Sequence, residues 1–197
     1  MTRLPVSVPW LARDDVRLFL TSAAILFVEL LLIRWIPANV RYIGFFSNFL
    51  LIASFLGIGL GILLGRRGTT VSLPVFAILL MLLVGLIIGV QLDVRLQTQD
   101  ELFFGLTDAS RAAETNYFVL PLVVVLVVAV LAALAMPLAP LLRSMPPLKA
   151  YGIDIAGALV GIAGFTLLSA AGTGPMLWFI VVAVLLVLLM AGTGLTA

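Results

Sequence analysis

Residues 18–36 read LFLTSAAILFVELLLIRWI, nineteen positions of which only Glu29 and Arg34 are ionisable. At about 1.5 Å per residue, a helix of this length matches the ~30 Å hydrocarbon thickness of a bilayer. Lipid offers no hydrogen-bond partners, so a spanning segment must be a helix or part of a closed barrel. An apolar run without strict alternation selects the helix. Five further runs of the same kind occupy residues 43–64, 71–91, 118–138, 151–171 and 176–191. Six such helices need roughly 120 apolar positions. Of the 197 residues, 63% are hydrophobic and only 10% charged, so the spans absorb nearly all the apolar content. A soluble domain is nearer half apolar and a quarter charged, and this composition would leave it with large exposed greasy patches. The expected fold is an all-α, polytopic membrane bundle, a single transmembrane domain over residues 1–197.

The punctuation agrees. Pro37 follows the first run, Arg66, Arg67 and Gly68 close the second, and Pro137, Pro140, Pro146 and Pro147 interrupt the chain after the fourth. Gly172 to Pro175 form a tight link between the fifth and sixth. Met1–Pro9 has no apolar stretch of the signal-peptide kind. One set of connections holds Arg3, Arg13, Arg17, Arg66, Arg67, Arg143 and Lys149, and the other only Arg41, Arg95 and Arg111. Basic loops face the cytoplasm, so both termini are expected there, in a bacterial inner membrane. Residues 92–117 then form an acidic, non-cytoplasmic loop, with Asp93, Asp100, Glu101, Asp108 and Glu114 around Phe103 and Phe104. Its readings are a solvated loop or a lid over a cavity.

Composition also removes chemistry. With no cysteine and no histidine, the usual ligands of haem, iron–sulfur clusters and zinc are missing, and neither a cofactor nor a metal is expected. A net charge of +2, scattered along the chain, does not make a nucleic-acid face. The expected partners are the bilayer and other integral membrane subunits.

Polar groups inside apolar runs are costly and usually face the protein interior. Glu29 and Arg34 on the first run, Ser47 and Asn48 on the second, and Thr166 and Ser169 on the fifth all fall in the same half of the bilayer. Glu29 and Arg34 are five positions apart, a turn of about 140°, so they do not share a face. Glu29 is expected to point toward Asn48 or Thr166, and Arg34 toward another helix or the interface. This cluster reads either as a small polar site or as an interhelical clamp. No catalytic residue is expected. Asp154 is placed in the first turn of the fifth run, on the opposite side, with a salt bridge to Arg66 or Arg67 as its default role. Small residues at four-residue spacing let helix backbones approach. Gly57, Gly61 and Gly65 on the second run and Gly157 and Gly161 on the fifth are the expected packing sites. These two runs are expected to make the tightest contact, with the fourth and sixth peripheral.

Three landmarks resemble one family. Phe27 to Arg34, with its E-x4-R spacing, is similar to the first span of the spermidine synthase-like membrane proteins. Leu51 to Gly61 resembles their FLGxxLG stretch, and Tyr151 to Gly161 their Y-x-x-[DN]-x-x-G-A-x-x-G span. The resemblance implies a membrane bundle with Glu29, Arg34 and Asp154 as polar landmarks. In that family a soluble Rossmann-like aminopropyltransferase domain, using decarboxylated adenosylmethionine, commonly follows the bundle. This sequence reaches Ala197 directly after the sixth run, with no glycine-rich loop between a soluble strand and helix, so no catalytic function carries over. The expectation is a non-enzymatic accessory or scaffold subunit of a larger membrane complex. The alternatives are a transporter or channel for a small molecule or polyamine-like cation, or the membrane anchor of a separately encoded aminopropyltransferase.

Overall fold

A computed structural model describes residues 10–39, 47–69, 73–89 and 119–193. The acidic segment 92–117 and the start of the second apolar run lie outside the described residues. The described chain is all-helical: α1 (Asp14–Asn39), α2 (Ser47–Arg66), α3 (Leu73–Gly89), α4 (Val119–Ala135), the short α5 (Leu138–Arg143), α6 (Pro147–Ala170) and α7 (Pro175–Thr193). Among the described residues, five helical segments are long and apolar enough to cross a membrane: α1, α2, α4 continued through α5, α6 and α7. Helix α3 is equally apolar but has 17 residues, about 25 Å of rise.

Helix α1 is the centre, packing on α6, α7, α4, α5 and α2. Leu18, Leu31, Leu32 and Ile36 are fully enclosed along it. Two glycine seams hold the bundle. On α2, Gly57 faces Val128 and Leu131, Gly61 faces Ala132 and Ala135, and Gly65 faces Met136 and Ala139. Both sequences ascend together, so α2 and α4 run parallel. On α6, Gly157 meets Phe19 and Ser22, and Gly161 meets Ala23, so α6 runs parallel to α1. Helix α7 runs antiparallel to α1, with Phe179 against Trp35 at one end and Gly192 against Leu11 at the other. Hydrocarbon surroundings supply no hydrophobic drive between helices, so van der Waals contact along these seams is what holds them.

This corrects the expected pairing. The glycines of α2 and α6 do not face each other, because each finds its groove elsewhere: α2 on the small side chains of α4 and α5, α6 on α1. Helix α4 is accordingly interior rather than peripheral, with every residue from Val130 to Met136 buried.

The prolines act differently from their expected roles as stops. Helix α1 continues through Pro37 to Asn39, whose Nδ2 donates to the Trp35 carbonyl at 2.8 Å. Pro137 keeps right-handed helical angles between α4 and α5, and the Leu141 amide still reaches its carbonyl at 3.2 Å. The true break comes at Ser144 to Pro146, and Pro147 then opens α6, where its missing N–H removes nothing the helix needs. Helices α2 and α6 both close on a left-handed glycine, Gly68 at φ 82° and Gly172 at φ 69°. In each, the following amide reaches back five residues, Thr69 to Leu64 and Thr173 to Leu168, a motif that a residue with a Cβ strains.

Candidate functional site

The polar groups of the bundle lie at two levels of α1. Near its first turns, Ser22 is buried, and its Oγ is 3.0 Å from the Leu18 carbonyl oxygen and 2.5 Å from Asp154 Oδ1 on α6. Because α6 begins at Pro147, four residues ahead of the expected Tyr151, Asp154 lies in the second turn instead of the first. The free amides of the helix start are out of its reach, and Ser22 is the partner the parallel packing brings to it. The expected salt bridge to Arg66 or Arg67 is not formed. Both arginines are exposed at the end of α2, which packs on α4 and α5, while Asp154 is held on the α1–α6 seam.

Farther along α1 lies an aromatic and cationic cluster. Phe27 meets Phe165 edge-on, with centroids 5.5 Å apart, and Phe165 meets Trp178 at 5.1 Å. The Arg34 guanidinium lies over the Trp178 ring, 5.9 Å from its centroid, within the range of a cation–π contact. Trp178 Nε1 donates to Thr173 Oγ1 at 2.8 Å, and the Thr173 hydroxyl donates to the Leu168 carbonyl at 2.7 Å. Arg34, α7 and the closing turn of α6 are thereby tied together.

Among the described residues, Glu29 is the one buried acidic group, 4% exposed, and the other buried polar residues are Thr21, Ser22 and Ser54. Ser54 bonds back to the Leu50 carbonyl of its own helix. No hydrogen bond or ion pair joins Glu29 to Arg34, Asn48 or Thr166. Phe165 turns inward onto Phe27, so its neighbour Thr166, about 100° round the helix, faces outward and is exposed. Asn48 is exposed too, Ser169 is half-buried, and the side chain of Ser47 lies outside the described residues. The five described side chains of the expected cluster are thus not gathered into one site. No group of three or more acidic residues able to hold a metal ion occurs among the described residues.

Sequence reasoning did not single out Ser22, Thr173 or Trp178. A usable signal existed for Thr173: a hydroxyl between two glycines at a helix end commonly bonds the last carbonyls. Ser22 carries none until its partner helix is known. Compared with known proteins, the chain matches no family model, no curated protein and no solved structure.

Proposed function

We propose that this chain is a non-enzymatic integral membrane subunit, a rigid bundle that docks laterally against other membrane proteins as a scaffold or accessory component. The observation that carries this reading is the parting of its polar groups. Glu29 is inside, whereas Asn48 and Thr166 face outward, and side chains such as Leu31, Leu32, Val130 and Leu131 fill the space between helices. A transport route needs a continuous polar lining, and such a core offers hydrocarbon instead. The outer face of α6, where Gly152, Ala156, Ala163, Thr166 and Ala170 are all exposed, suits the close approach of a foreign helix. With its basic end toward the cytoplasm, the chain would be a multi-pass protein of a bacterial inner membrane with both termini inside.

The test is migration on a native gel after extraction in mild detergent. A stoichiometric complex well above 21.0 kDa is expected, and Ala163→Leu should release an intact monomer from it. A lone 21.0 kDa species, or a complex indifferent to that substitution, would overturn the reading.

The burial of Glu29 favours a second reading, a carrier in which this carboxyl is the working group. Reconstituted vesicles should then take up a polyamine-like cation and lose uptake in Glu29→Gln. The resemblance of three sequence landmarks to the spermidine synthase-like membrane domain suggests a third, an anchor for a separately encoded aminopropyltransferase. Binding of such a soluble enzyme to the purified bundle is its test.

A further inference from the structure

One end of the bundle collects most of its cations. Helices α1 and α6 begin there, since Lys149 Nζ lies 3.9 Å from Asp15. Helix α7 finishes there, with Gly192 beside Leu11 and Arg17. Helix α2 finishes there too, because Gly65 rests on Met136 and Ala139 just ahead of the Arg143 turn that leads into α6. The cations of this end fall into two sets. Arg13, Arg17 and Lys149 each lie within 4 Å of Asp15 or Asp14, Arg13 closest at 2.8 Å. Arg66, Arg67 and Arg143 are exposed and reach no carboxylate among the described residues.

The second set shares one corner. Arg66 follows Gly65 directly, and Arg143 is one helical turn, about 6 Å, beyond the Ala139 that Gly65 touches. Long guanidinium side chains from both helices can therefore meet around one small anion. Beneath Arg66, Ile52, Leu56, Gly59 and Leu63 repeat at spacings of four, three and four, which places them on one outward face of α2. Ile52 is 62% and Leu56 59% exposed, and a Cβ on Gly59 would meet nothing within 4 Å. The face is a hydrocarbon strip with a notch at its middle and cations at its top.

We propose that Arg66, Arg67 and Arg143 hold the phosphodiester of an anionic phospholipid whose acyl chain lies along this strip. The cations match the phosphate, and guanidiniums suit it by their planar donor forks. The apolar strip matches the chain. A zwitterionic headgroup fits less well, because its ammonium would sit among three positive charges. The proposal depends on the membrane location of the bundle and not on which subunit or substrate it serves.

The experiment titrates the detergent-purified full chain with phosphatidylglycerol or phosphatidylcholine and counts bound lipids by native mass spectrometry. The wild type should retain phosphatidylglycerol in preference to phosphatidylcholine. Each juxtamembrane arginine is worth about fivefold in affinity for an anionic surface, so R66Q/R67Q/R143Q should lose about a hundredfold. R66K/R67K/R143K keeps the charge and should keep most of the preference, and R13Q should bind as the wild type does. Millimolar inorganic phosphate should not displace the lipid. The proposal is overturned if the triple glutamine variant, with unchanged helical content, binds phosphatidylglycerol normally. Equal retention of both lipids by the wild type, or displacement by inorganic phosphate, overturns it as well.

Discussion

Two glycines of α2, two residues apart, should respond in opposite ways to the same added methyl group. A Cβ at Gly61 would lie 2.9 Å from both the Ala132 Cα and the Ala135 Cβ, and closer still to the Ala132 carbonyl oxygen. Ordinary contact begins near 3.4 Å, and the obstructing atoms are mostly backbone, so no rotamer change can clear them. Helices α2 and α4 must separate, loosening the neighbouring contacts at Gly57 and Gly65. Overpacking of this kind costs about 1–3 kcal/mol. At Gly59 the same Cβ meets nothing within 4 Å. There, Gly→Ala should stabilise the helix by up to about 1 kcal/mol through propensity alone.

The gain in propensity is common to both sites and cancels when the two variants are compared. Gly61→Ala should therefore be less stable than Gly59→Ala by about 1–3 kcal/mol. Equilibrium unfolding in mixed mild-detergent and dodecyl sulfate micelles, followed by far-ultraviolet circular dichroism, measures the difference. If the two variants agree within about 0.5 kcal/mol, below the smallest overpacking cost, the α2–α4 seam is not where the structure puts it.

The α1–α6 seam gives a parallel comparison. Gly161→Ala, whose Cβ would be 3.0 Å from the Ala23 Cα, should unfold earlier than Gly164→Ala, whose nearest neighbour is the Phe27 ring at 4.0 Å. A double-mutant cycle on Ser22→Ala and Asp154→Ala, each of which removes one partner of the bond, should give a coupling of about 0.6 kcal/mol, the usual size for an interhelical hydrogen bond in a membrane; additive effects would remove that bond from the account. Thr173→Val should lower stability by about 0.5–1.5 kcal/mol and shift Trp178 fluorescence, because the indole N–H loses its acceptor. An unshifted emission spectrum would refute that contact.

The sequence made the helical, membrane-like character readable because charge exclusion acts on each segment by itself. Twenty apolar residues identify a span whatever lies beside them. Partner choice is a property of two surfaces and was not readable in the same way. Gly57, Gly61 and Gly65 announced a close approach but not its target. That target, the small-residue face of Ala132, Ala135 and Ala139, lies in a run that looked like plain lipid-facing hydrocarbon. The same limit explains Asp154. Depth along the sequence told only at which end it lies, and α1 and its contacts keep α6 apart from α2. The five-residue step from Glu29 put Arg34 on a different face but left open whether it met another helix or the interface; its position over Trp178 of α7 depends on a partner that the step does not specify.

The arrangement of the two seams has a physical logic of its own. Helices that follow one another through a membrane are antiparallel, and their dipoles attract side by side. Parallel neighbours are never consecutive, and their aligned dipoles oppose the contact. Both glycine seams fall on such pairs, α1 with α6 and α2 with α4. These are the pairs that neither a short connecting loop nor dipole attraction would hold. Bringing backbones within reach of each other's carbonyl oxygens adds the dispersion and Cα–H···O contacts that offset this disadvantage. The antiparallel pair α1 and α7 is made differently, with bulky Trp35 and Phe179 at its contact, a tight Gly172 turn leading into α7, and a single close glycine, Gly192, whose tight contact is with Leu11 ahead of α1 rather than with the α1 backbone. Glycine is therefore concentrated where the topology gives least help, and α1, which needs α6 to close its Phe19–Ala23 face, is completed only after most of the chain has followed it.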